Sequence, residues 1–154
     1  MKCIALAASL VLLAPFGASA QTTDQLVKGA ADTTNVLNYG MGYNLQRFSP
    51  LTQINKDNVK NLVPVWNYSF ADDRSAQSQP IVYQGVIYIT NHNATMAVDA
   101  KTGKQIWKTK VEYPAETPRI TCCGIINRGA ALFDGKLFRT TLDAHVIALD
   151  AKTG

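Results

Sequence analysis

The sequence has few of the residues that usually carry chemistry. It contains two histidines and three cysteines among 154 residues, with no His, Cys and carboxylate cluster spaced as in a metal site and no Gly-rich phosphate loop. The Lys and Arg residues behind its net charge of +4 are scattered singly, without a basic stripe or interleaved aromatics. We therefore expect no metal ligands, no nucleotide site and no nucleic-acid partner here. The mildly basic surface is expected to face solvent and to steer an acidic protein partner.

The sequence also lacks an apolar run of the roughly 18 residues that a transmembrane helix needs. Its longest one runs from Ile4 to Phe16, follows Lys2 and precedes the small residues 17–20. This order is typical of a cleavable secretory signal. We expect residues 1–20 to be a signal peptide, and residues 21–154 to be a periplasmic chain without a transmembrane segment. Removal of the signal takes Cys3 with it.

Short strand patterns dominate the sequence after Pro64. They are VPVWNYSF, PIVYQGVIYIT, ATMAVDA and KQIWKTKV, each bounded by Gly, Asn, Asp or Pro. Such segments predict β-strands in antiparallel hairpins, with turns at Gln84-Gly85 and at residues 101–103. The preceding residues 38–62 predict an irregular lead-in, in which Asn55 caps a short helix over residues 56–62.

Two stretches of the sequence repeat each other. One runs from Gly85 to Gly103 and the other from Gly135 to Gly154, and both end in DAKTG, with a period of 51 residues. A unit of that length with about four short strands predicts a blade of a β-propeller. Residues 21–154 hold fewer than three such units, whereas closed propellers usually have four to eight. We therefore expect an all-β propeller that is truncated to roughly its first two to three blades.

The repeat carries the pattern Ala-x-Asp-x-x-Thr-Gly-x-x-x-Trp, which is complete at Ala97, Asp99, Thr102, Gly103 and Trp107. This pattern resembles the tryptophan-docking motif of the quinoprotein dehydrogenases. We interpret its residues as structural, because a flat indole ring fills the space between sheets while its N–H finds a partner. Propellers that bind no quinone carry similar repeats.

The segment ITCCGIINRG, residues 120–129, resembles quinoprotein methanol and ethanol dehydrogenases more closely. These carry adjacent cysteines followed, five residues after the second, by Arg within Asn-Arg-Gly, as Cys122, Cys123 and Arg128 are arranged here. The resemblance implies an eight-bladed propeller that oxidises primary alcohols to aldehydes with pyrroloquinoline quinone and passes electrons to a cytochrome c. It also implies a Ca²⁺ or lanthanide ion, whose ligands, like the catalytic Asp, belong to later blades. It is compatible with a homodimer.

The same resemblance implies roles for individual residues. A Cys122–Cys123 disulfide lies as a rigid plate against one face of the quinone, and Arg128 donates to the quinone oxygens. Gln77 occupies the place where ethanol dehydrogenases typically have a Glu that contacts the cofactor. It keeps the hydrogen-bonding reach of Glu without the charge.

Several alternatives remain open at this point. The Cα atoms of adjacent residues lie about 3.8 Å apart across a trans peptide, below the usual disulfide range, so a strained disulfide could act as a redox switch. Two reduced, buried cysteines are the simplest alternative. His92 and His145 are expected to be surface or structural residues. The rival functions are a non-catalytic envelope scaffold, which has no need of Cys-Cys followed by Arg, and a sugar dehydrogenase with the same cofactor, whose branch generally lacks the cysteine plate.

Overall fold

The computed structural model describes residues 21–72, 74 and 76–154, so the expected signal peptide lies outside the described residues. The described part contains two short α-helices, α1 (Thr23–Val27) and α2 (Thr117–Ile120), and two 3-10 turns (Gly29–Ala31 and Val59–Asn61). Its strands are β1 (Ile81–Tyr83), β2 (Val86–Thr90), β3 (Ala94–Asp99), β4 (Gln105–Lys110), β5 (Ala131–Phe133), β6 (Lys136–Thr140) and β7 (Val146–Asp150). No helix in these ranges is long and apolar enough to cross a membrane.

The strands form two antiparallel sheets, ordered β1-β2-β3-β4 and β5-β6-β7. Each sheet is a meander in which consecutive strands pair, and the second repeats the first three strands of the first. The two sheets share one core, whose buried members are Leu37, Ile81, Tyr83, Tyr88, Ala97, Trp107, Leu132, Leu137 and Ala151. The predicted β-propeller blades are therefore confirmed.

The hairpin turns follow from backbone conformations that few residues adopt. Gln84 and Gly85 have φ of 48° and 77°, and Asp134 and Gly135 have φ of 47° and 71°. Positive φ at both central residues is the signature of the type I′ turn, whose twist matches that of the flanking strands. The turn predicted at Gln84-Gly85 is confirmed, and its repeat lies between β5 and β6.

The strand predicted for VPVWNYSF, residues 63–70, is wrong. These residues make no ladder in the structure, and Val63 and Val65 are 74% and 84% exposed. An alternating pattern becomes a strand only where another strand lies alongside to pair with it. Two side chains of the segment itself hold it instead: Tyr68 donates its hydroxyl to Gln105 Oε1 at 2.6 Å, and Trp66 docks on the first sheet.

The helix predicted over residues 56–62 is also wrong. Asn55 does cap a turn, since its side-chain oxygen accepts the Asp57 amide at 2.9 Å and its carbonyl accepts the Val59 amide at 3.0 Å. The chain then continues only as the 3-10 turn Val59–Asn61. Helix nucleation is unfavourable without packing, and Val59 and Leu62 are 49% and 59% exposed.

The second DAKTG turn receives the tryptophan of the first sheet. Trp107 is buried, and its indole N–H donates to the carbonyl of Ala151 at 3.0 Å. The ring lies so close to Gly154 that a Cβ on that glycine would meet Trp107 Cε3 at 2.6 Å. Only glycine fits beneath the ring, which explains why the turn ends in Thr-Gly.

Trp66 repeats this arrangement one blade earlier. Its indole N–H donates to the carbonyl of Ala100 at 3.1 Å, and a Cβ on Gly103 would meet Trp66 Cδ2 at 2.6 Å. The docking role was predicted for Trp107 alone. Trp66 was missed because no complete repeat motif precedes it in the sequence.

A buried arginine joins the sheets at the other end of β3. Arg139 in β6 is 3% exposed and donates to the carbonyls of Ala94, Asn91 and His92 at 2.7, 3.2 and 2.9 Å, and to Thr95 Oγ1 at 3.2 Å. Burial lowers the pKa of Arg139, but a guanidinium stays protonated in proteins. Four acceptors, two at the start of β3 and two in the loop before it, therefore satisfy a charge carried by the second sheet.

The tryptophan docking predicts a difference between two matched glycine substitutions in the full-length protein. Gly103 and Gly135 share a φ of 71°, but an added Cβ has nothing within 4 Å at Gly135. Gly135→Ala should cost only the left-handed backbone penalty of about 1–2 kcal/mol. Gly103→Ala should cost roughly 1–3 kcal/mol more, because its Cβ overpacks the Trp66 ring. Denaturant unfolding checks this, and equal losses would contradict the docking.

Candidate cofactor site

Gln77 and Arg128 meet although 51 residues separate them. Arg128 Nη1 donates to Gln77 Oε1 at 2.9 Å. Gln77 lies in the segment that leads into β1, and Arg128 in the segment that leads into β5. The two side chains therefore come from corresponding places in adjacent blades, and the packing of the blades brings them together. Both are exposed.

A cleft of about 330 Å³ lies at this pair. It is lined by Tyr39, Gln77, Gln79, Ile81, Arg128, Gly129 and Ala130. Its volume is at the lower end of the range of small-molecule sites, roughly 300–1,000 Å³. The structure thus places two of the four predicted cofactor residues in one cleft, with a cation and an amide among largely uncharged neighbours.

Two polar side chains of the lining, Gln79 and Tyr39, were missed by the sequence analysis. Gln79 accepts the Gly40 amide at 2.8 Å and donates to the Asn38 carbonyl at 3.0 Å. These bonds hold the lead-in loop against β1 and place Tyr39, which lies between the two bonded residues, at the cleft. No local signal reveals this, because about forty residues separate the partners along the chain.

The cysteine pair lies in the loop between α2 and β5, outside the lining of the cleft. Both thiols are free and exposed, with their Sγ atoms 2.6 Å apart. The alternative of two reduced, buried cysteines is therefore wrong in one respect, because neither cysteine is buried. Cys123 has a φ of 68°, a left-handed conformation that costs a non-glycine residue on the order of 1–2 kcal/mol. The hydrogen bond with Cys123 raises the pKa of the Cys122 thiol.

The two histidines differ in their surroundings. His92 is buried, with Nδ1 2.8 Å from Asp72 Oδ2 and Nε2 2.8 Å from Arg74 Nη1. The Asp72 contact is short but lacks the geometry of a hydrogen bond. His145 is exposed, 3.2 Å from Asp143. Among the described residues, no three His, Cys, Asp or Glu side chains converge as a metal site.

These features define a class of protein: a β-propeller with tryptophans docked between blades and a polar cleft formed by the segments that lead into the first strand of each blade. The model of one family, described as the PQQ glucose/ethanol/alcohol dehydrogenase β-propeller domain, matches residues 37–154. The chain belongs to this family.

Similar proteins agree with this assignment. The chain is 42% identical over its whole length to the quinoprotein ethanol dehydrogenase of Pseudomonas putida, of which it spans 25%. The solved quinohemoprotein alcohol dehydrogenase of Comamonas testosteroni superposes with a TM-score of 0.83 at 35% identity, over 87% of this chain and 20% of that one. A europium-containing methanol dehydrogenase gives 0.77 at 31% identity, over 86% and 24%.

The raised thiol pKa predicts slow alkylation of the reduced protein. The thiolate is the reactive form, so a raised pKa leaves less of it near neutrality, and iodoacetamide labelling of Cys122 should increase only at higher pH than for an ordinary thiol. In Cys123→Ala the hydrogen bond is absent, and the labelling midpoint should move to lower pH. Mass spectrometry of labelled peptides measures both midpoints, and identical midpoints would contradict the assigned cause.

Proposed function

We propose that the protein to which this chain belongs oxidises primary alcohols to aldehydes with pyrroloquinoline quinone. The observation that carries the proposal is the Arg128–Gln77 pair in its cleft, in a chain whose relatives are named quinoprotein alcohol dehydrogenases. The chain spans a quarter of such a relative, so the proposal concerns a longer protein, with this part supplying one wall of the cofactor site.

The side chains of the cleft fit such a cofactor. Pyrroloquinoline quinone is a planar, anionic molecule that accepts two electrons and two protons when it oxidises an alcohol. Arg128 uses one of its N–H donors on Gln77, and a guanidinium carries five. It therefore keeps donors for carboxylate or quinone oxygens and would stabilise negative charge there. Gln77 would orient the guanidinium and offer its amide N–H₂ to the cofactor.

A quinone bound over the cleft would strengthen the hydrogen bond between Arg128 and Gln77. In water, an exposed contact of this kind contributes little, on the order of 0–1 kcal/mol. A planar ligand over the cleft excludes water and lowers the local dielectric, which makes each remaining polar contact stronger. The open, exposed cleft is thus a suitable wall for a site that other blades complete.

The cysteines supply a second part of the proposal. We propose that Cys122 and Cys123 form a disulfide in an oxidising periplasm and lie against the quinone as a plate. The 2.6 Å separation of their sulfurs supports pairing of these two cysteines with each other. A signal peptide at residues 1–20, a cytochrome c acceptor and a Ca²⁺ or lanthanide ion bound by other blades belong to the same proposal. The similarity to a methanol dehydrogenase that contains europium, a lanthanide, supports the choice of metal.

The full-length protein, reconstituted with the quinone and Ca²⁺ or a lanthanide, tests the activity. It should oxidise ethanol with a dye acceptor and leave glucose unchanged, and Arg128→Ala should reduce kcat/KM by about 10²-fold, the effect of losing one charge-stabilising donor. Lys104→Ala, at an exposed turn away from the cleft, is the control. Quinone binding without turnover of any alcohol would overturn the enzyme proposal. Failure to bind quinone would favour the scaffold.

If Gln77 lies beside the quinone, a charge introduced at this position should shift the reduction potential of the bound cofactor. Gln77→Glu adds a negative charge beside the ring and opposes electron uptake, so the two-electron potential should fall by roughly 20–40 mV for an interaction of about 1–2 kcal/mol. Gln77→Met, similar in length but uncharged, should move it less. A spectroscopic redox titration measures the shift, and an unchanged potential in Gln77→Glu would remove Gln77 from the site.

A further inference from the structure

Asn127 directly precedes Arg128, and its side chain is buried, with both of its polar atoms hydrogen-bonded. Only 5% of the residue is exposed. Its Oδ1 accepts the hydroxyl of Thr90 at 2.6 Å and the amide of Gly129 at 3.0 Å, and its Nδ2 donates to the carbonyl of Thr140 at 3.0 Å. The residue before Arg128 therefore bonds to the residue after it, which closes the backbone tightly around the arginine.

These bonds also join the ends of two blades. Thr90 is the last residue of β2, and Thr140 is the last residue of β6. Asn127 bridges the same position in consecutive repeats, with one side-chain atom bonded to each sheet. A movement of one blade against the other would break a buried hydrogen bond and leave a polar atom unpaired.

Thr90 also holds the segment that carries Gln77. Ser78, the next residue, donates its hydroxyl to the Thr90 carbonyl at 2.6 Å. Thr90 is 2% exposed, so both of its oxygens are used inside the protein: the carbonyl for the Gln77 side and the hydroxyl for the Arg128 side. Thr90 is thus hydrogen-bonded to a neighbour of Gln77 and to a neighbour of Arg128.

We propose that Asn127 is a positioning residue, anchored on Thr90, that sets Arg128 against Gln77 for quinone binding. The proposal rests on the proposed function for the identity of the ligand. Its physical basis is preorganisation: a guanidinium held in place before binding loses less conformational entropy when the ligand arrives. Asn127 itself touches no ligand, because its polar atoms are used within the protein.

A double-mutant cycle in the full-length protein tests the proposal. Asn127→Ala should weaken binding of pyrroloquinoline quinone about tenfold, measured by spectroscopic titration of the apoprotein. In the Arg128→Ala background the same change should cost less than about twofold, since there is no guanidinium left to position. Asn127→Asp keeps the acceptor for Thr90 and Gly129 and should restore part of the affinity.

Thr109→Val is the matched control. It removes another inter-blade hydrogen bond, from Thr109 Oγ1 to the Gly154 carbonyl at 2.6 Å, at a DAKTG turn away from the pair. It should lower the unfolding midpoint as Asn127→Ala does and change quinone affinity less than about twofold. Equal effects of the two variants on affinity, or additive losses in the cycle, would overturn the positioning role.

A crystal structure separates this proposal from the function it rests on. If the wild-type protein binds no quinone, the proposed function fails, and the separation of Arg128 Nη1 and Gln77 Oε1 still decides the positioning claim. In the wild type the separation should stay near 2.9 Å. In Asn127→Ala it should be lost or spread over several conformers. A retained pair in that variant would overturn the proposal.

Discussion

The structure depends on the docking of each tryptophan into the glycine turn of the next blade. Trp107 donates its N–H to Ala151 and covers Gly154, and Trp66 does the same one blade earlier. The contact combines a large apolar ring, a satisfied N–H and a backbone that no side chain obstructs. It fixes the separation of neighbouring sheets at one end of their strands, and hence the place where residues from different blades can meet.

At the other end of the strands, buried polar contacts determine how neighbouring blades are arranged. Arg139 reaches into the first sheet at the start of β3, and Asn127 ties Thr90 to the second. Such groups are costly to bury unless all their hydrogen bonds are made, and then they favour one arrangement over others. The tryptophans therefore hold the blades together by packing, while the polar groups orient them where the cleft lies.

The anchoring of the blades by buried polar groups explains the arrangement of the side chains in the cleft. Arg128 and Gln77 are exposed and bonded to each other, yet the residues beside them, Asn127 and Ser78, are anchored inside. Solvent-exposed polar groups thus lie next to residues that are hydrogen-bonded within the protein. A charged, planar ligand needs this combination, because the donors must be in place before water is excluded and still be free to bond.

The repeat, most strands and the turn at Gln84-Gly85 could be predicted from the sequence, because they depend on local backbone preference and on spacing along one chain. The predictions failed for residues 56–62, whose apolar side chains are exposed, and for residues 63–70, which pair with no strand in the structure. No sequence pattern indicated that Thr90, Asn127 and Arg139 connect the blades. These contacts belong to the tertiary structure, since hydrogen bonds between residues some forty positions apart form only after the sheets have packed.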